Sequence, residues 1–227
     1  LAIIISDGPM LVGKPEQVAS RPAIHIPIEF PPIPLATIAS TIATGVTPLV
    51  HGIVTAVTVD DETIQVRETV ASDRRFQAFW TQSGLQTKLI NWPATEGDSD
   101  VTSYEHSDVF AKAEECLDAD VIGIVLPSKA REQSTPESVR EQQQELEKFL
   151  SSLSLDTSVL IVQKQTNEGG FIPKVRLPLC ATFLVDGCAH ELRRPSHLEV
   201  IGGAMYALSG VSCPMGVKLP RWPFIME

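Results

Sequence analysis

The chain has 227 residues, enough for one domain with a sizeable core or at most two small ones. Hydrophobic residues make up 43% and charged residues 20%, ordinary for a globular protein, and the formal net charge is -10. That charge argues against a nucleic-acid backbone as partner, and no apolar run approaches bilayer-spanning length, so neither nucleic acid nor membrane is expected.

Leu1 to Ser6 is a continuous isoleucine-rich run, the pattern of a central parallel strand covered on both faces. It ends at Asp7-Gly8. Ligands in open α/β folds collect at the carboxyl ends of such strands, so Asp7 stands where a metal or catalytic acid belongs; the plain reading of Asp-Gly is a turn. Pro9 to Pro34 is proline-rich and irregular, with a short strand expected near Ala23–Ile28, where His25 alternates with isoleucines as a structural residue. Pro31, Pro32 and Pro34 keep the chain extended. Leu35 to Thr44 then reads as a short buried helix, with Leu35, Ile38 and Ile42 on one face and Gly45 as its stop. Its amino end presents unpaired N–H groups and a partial positive charge, which suits an anion such as phosphate.

Ile53–Val59 and Thr63–Val66 read as β segments around a solvated Asp-Asp-Glu turn. Arg74 to Gly84 reads as a helix with Phe76, Phe79 and Trp80 on one face, followed by a strand over Leu85–Asn91. Glu96–Asp100 is expected to be an acidic surface loop. Helices are expected over Asp108–Leu117, Thr135–Leu153 (Thr135 as N-cap and Pro136 in the first turn) and Ser196–Ser209. Apolar strands are expected over 120–127, 158–163 and 177–185. Strands alternating with helices imply a three-layer α/β sandwich around a mostly parallel sheet. No repeat or linker divides the chain, so residues 1–227 read as one domain. Cys116, Cys180, Cys188 and Cys213 have no C-x-x-C spacing and read as buried thiols. Together with a first segment lacking the basic flank of a signal peptide, they favour a cytoplasmic setting.

Thr44-Gly45, Pro48 and His51-Gly52-Ile53 resemble the Thr-Gly-x-x-Pro-x-x-His-Gly-Ile signature of the alkaline phosphatase superfamily, nearest its type I phosphodiesterase/nucleotide pyrophosphatase branch. Other segments follow in the same order: Asp7-Gly8 after the first strand, Trp92-Pro93 after a middle strand, and a closing helix ending Leu208-Ser209-Gly210. The resemblance implies an alkaline-phosphatase-like fold without room for a cap insertion. In that superfamily a Ser or Thr at a helix N-terminus attacks phosphorus, activated by two metal ions, usually zinc.

The resemblance places that nucleophile ten residues before Gly45, at Leu35, which carries no nucleophilic atom. Thr37 and Ser40 are the fallback hydroxyls. Lys129 and Arg131 fall where an acid ligand and a His are wanted, and Lys164 and Gln165 at another Asp-His pair. Only Asp7 matches a ligand, so no cofactor is expected, and a contact between Asp7 and Lys164 is expected to replace the metal. His51 is expected to be a structural turn residue. No Walker loop, Gly-x-Gly-x-x-Gly or Gly-x-Ser-x-Gly elbow is present.

Three functions follow as expectations. The first is a degenerate phosphodiesterase-like protein kept for binding or assembly. The second is a hydrolase with a rearranged site built on Thr37 or Ser40 with Asp7, holding zinc or another divalent cation. The third is a metal-independent phosphate or sulfate binder using the helix N-terminus with Lys129, Arg131 and Lys164. A phosphorylated small molecule or a protein would be the partner.

Overall fold

The computed structural model describes residues 1–6, 8–11, 15–28, 34–55, 57–59, 64–69, 73–93, 100–102, 108–126, 136–164, 179–184 and 197–218, with side chains omitted at 82, 83, 100–102, 136, 138 and 164. In chain order the elements are β1 (Ala2–Ser6), β2 (Gln17–Val18), β3 (Arg21–Pro22), β4 (Ile24–Ile28), α1 (Leu35–Thr44), α2 (Pro48–His51), β5 (Val57–Val59), β6 (Val66–Glu68), α3 (Phe79–Ser83), β7 (Thr87–Ile90), β8 (Asp100–Thr102), α4 (Val109–Glu114), β9 (Val121–Leu126), α5 (Pro136–Ser152), β10 (Val159–Lys164), β11 (Leu179–Leu184) and α6 (Leu198–Leu208).

Among the described residues the central sheet has seven strands in the order β4-β11-β10-β1-β9-β7-β8. β1 lies between β10 and β9, parallel to both, and β7 is parallel to β9 and β8. Only β11 runs against the rest, antiparallel to β10 on one side and to β4 on the other. The isoleucine run of β1 has a direct physical reason. Ile3 and Ile5 enter one core with α1, α3 and α6, while Ala2 and Ile4 enter a second core with α4 and α5. A strand buried on both faces needs no polar alternation. Helices on both faces make the expected three-layer sandwich.

Two close contacts orient the helices. A Cβ built on Gly202 of α6 would stand 2.5 Å from the Thr41 carbonyl oxygen and 2.9 Å from the Gly45 Cα, so α6 crosses α1 at backbone contact. Tyr206 Oη donates to the Thr44 carbonyl at 3.2 Å across the same seam. On the other face, the buried Arg21 guanidinium donates to the carbonyls of Leu153 (3.0 Å), Ser154 (2.6 Å) and Thr157 (2.7 Å). It thereby satisfies acceptors left over where α5 ends.

Several boundaries differ from the sequence reading. The helix expected over 74–84 is only Phe79–Ser83, because the Arg75 amide donates to the His51 carbonyl at 2.9 Å and Ala78 is extended. Phe76 is half-buried and outside that helix, whereas Phe79 and Trp80 are buried, with ring centroids 4.9 Å apart. Of the β segments expected around Asp-Asp-Glu, the first shortens to β5 (Val57–Val59) and the second shifts to β6 (Val66–Glu68). Ile53 is withdrawn into the core and Ile64 takes a left-handed φ of 56°. Asp100, read as loop, opens β8 alongside Lys88. The expected cap Thr135 lies outside the described residues. No helix among the described residues is long and apolar enough to cross a membrane.

Candidate functional site

α1 emerges from an extended Pro34 (φ −55°, ψ 149°) that offers no capping side chain, so the first amides of the helix meet no side-chain acceptor on their own cap residue. Its far end closes on Gly45 at φ 67°, whose amide bonds the Thr41 carbonyl at 2.8 Å. That is the left-handed stop glycine supplies at no Cβ cost. Leu35 is the first residue of the helix and is half-buried. Thr37 and Ser40 are each 1% exposed, and their hydroxyl oxygens have no hydrogen-bond partner among the described residues. Thr41 and Thr44 behave differently, donating back to the carbonyls of Thr37 (2.8 Å) and Ser40 (2.7 Å).

The His-Gly-Ile segment that follows is a hydrogen-bonded corner. The Ile53 amide donates to His51 Nδ1 at 3.1 Å, so Nδ1 is unprotonated and Nε2 carries the proton. Nε2 in turn faces Thr41 Oγ1 at 2.9 Å, and the hydroxyl passes the chain on to the Thr37 carbonyl. Gly52 follows with φ 87°. Burial first, and the nearby positive charge of Arg74 second, lower the His51 pKa to about 4, keeping the ring neutral. The same burial lowers Arg74 to about 10. His51 is a structural corner residue that ties α2 to the first turns of α1.

The carboxyl ends of β1, β9 and β10 lie side by side, with Ser6 opposite Leu126 and Ile5 opposite both Val125 and Val162. Here sequence reasoning missed a residue. Gln163, buried on β10, accepts through Oε1 from the amides of Met10 (2.7 Å) and Leu11 (2.8 Å), clamping the segment that follows β1. The signal was available: one amide side chain directly after four aliphatic residues of the strand. Lys164 is the last residue of β10, but its side chain, and all of Asp7, Lys129, Arg131 and Gln165, lie outside the described residues. The expected Asp7–Lys164 contact therefore lies outside them too. Among the described residues no three His, Cys, Asp or Glu side chains come together as metal ligands. Cys116, Cys180 and Cys213 are unbridged, and burial raises the thiol pKa of Cys116 and Cys213.

Murine ectonucleotide pyrophosphatase/phosphodiesterase 5 superposes on 94% of this chain and 96% of its own, with a TM-score of 0.69. The fold is alkaline-phosphatase-like, of the nucleotide pyrophosphatase/phosphodiesterase kind. At 8% identity the likeness to this phosphodiesterase is one of fold. An inactive threonine-to-alanine variant of the murine protein, solved in complex with AMP, matches over the same share of both chains with a TM-score of 0.65, again at 8% identity. Phosphonoacetate hydrolase from Sinorhizobium meliloti 1021, in complex with phosphonoformate, matches 71% of this chain and 55% of its own at 15% identity and a TM-score of 0.50. No family model and no curated protein matches the sequence.

Proposed function

We propose that this protein keeps a nucleotide pyrophosphatase/phosphodiesterase-like framework, has lost metal-dependent phosphoester hydrolysis, and serves in binding or assembly. The observation that carries the reading is Leu35 at the first position of α1, where the resemblance puts the attacking oxygen. An aliphatic side chain has no lone pair to offer phosphorus. The donor set agrees. Zinc takes three or four N, O or S ligands, and the ligand positions hold Lys129, Arg131, Lys164 and Gln165, leaving Asp7 alone. Lysine and arginine, protonated at neutral pH, do not ligate zinc. These residues do not fit a two-zinc centre.

Burial weighs against a hydrolase rearranged around Thr37 or Ser40, since a nucleophile must reach its substrate and both are 1% exposed. On this reading residues 1–227 form one alkaline-phosphatase-like domain without a cap insertion, and the scattered thiols fit a cytoplasmic setting. The test is hydrolysis of bis(4-nitrophenyl) phosphate and 4-nitrophenyl phosphate with added zinc or manganese. No turnover above buffer is expected. Robust metal-dependent turnover abolished by Asp7→Ala would sink the proposal, as would near-stoichiometric zinc in the purified protein.

A separate observation favours a second reading, metal-independent binding of phosphate or sulfate. α1 opens on Pro34, which offers no capping side chain to its first turn. An anion there would meet the opening of the helix and the positive end of its dipole, with Lys129, Arg131 and Lys164 supplying charge. Thermal shift with inorganic phosphate, sulfate and AMP tests it. A concentration-dependent rise in Tm, reduced in Arg131→Ala, is expected; no rise with any of the three refutes it.

A further inference from the structure

We draw no further inference here: the strongest candidate, the exposed aliphatic face that Val57, Val59 and Val66 form on the β5–β6 ribbon, carries none because nothing in the structure shows what covers it.

Discussion

Lowering the pH should unfold this protein partly through one buried ring. His51 has a folded pKa of about 4 against 6.5 for the free side chain. Between those values the unfolded chain binds a proton that the folded chain refuses, so stability rises with pH across the window. It is fully present above pH 6.5 and is lost as pH falls toward 4. For a single site the loss is about 1 kcal/mol at pH 5.5 and about 2–3 kcal/mol at pH 4.5. The structural cause is direct: a second ring proton on Nδ1 would face the Ile53 amide that now donates to it. The perturbation is His51→Asn, which retains an oxygen for the Ile53 amide, cannot titrate, and loses the link to Thr41. Urea midpoints would be measured for both proteins at pH 7.5, 5.5 and 4.5. Carboxylates titrate in both, so the difference between the curves isolates His51. Wild type should be the more stable at pH 7.5, and by pH 4.5 its advantage should have shrunk by about 2–3 kcal/mol. Parallel curves would refute the neutral buried imidazole and the hydrogen-bond chain from Ile53 to Thr37.

Three further outcomes follow from the geometry. Gly202→Ala should cost about 1–3 kcal/mol or more in thermal unfolding, because its Cβ would meet the Thr41 carbonyl at 2.5 Å and backbone cannot step aside as a side chain can; an unchanged Tm would mean that α1 and α6 do not cross there. Gln163→Leu strands two buried amides, at about 1–3 kcal/mol each, and should raise hydrogen exchange at Met10 and Leu11 above that of β1. Exchange unchanged at those amides would contradict the clamp. Thr37→Val replaces a buried hydroxyl that has no partner among the described residues, so urea stability should hold or improve by up to about 1 kcal/mol. A loss above that size would mean that the hydroxyl has a partner after all.

Much of the frame was readable from the chain, and particular residues say why. The unbroken Ile3-Ile4-Ile5 run predicts a strand covered on both faces, and it lies between β9 and β10 with a core on each side. Gly45, after ten small and apolar residues, predicts the left-handed stop of α1, which is where the helix ends. These signals are local, set by backbone strain and side-chain periodicity. The misses share the opposite character. Arg75 leaves the expected helix because its amide is taken by His51, more than twenty positions earlier, and Asp100 becomes a strand because β7 offers it an edge.

The order of apolar and polar residues along the chain determined the layered α/β architecture, the buried helix α1 and the leucine at its first position. Those depend on interactions within a few residues, which any copy of this sequence carries with it. Only the tertiary structure decided that β11 runs against its neighbours, that Thr37 and Ser40 are sealed from solvent, that Gln163 clamps the segment after β1, and that the valines of β5 and β6 face outward. Each of these depends on which distant segment supplies the acceptor or the apolar cover. That assignment is made when the chain closes on itself, and no local pattern encodes it.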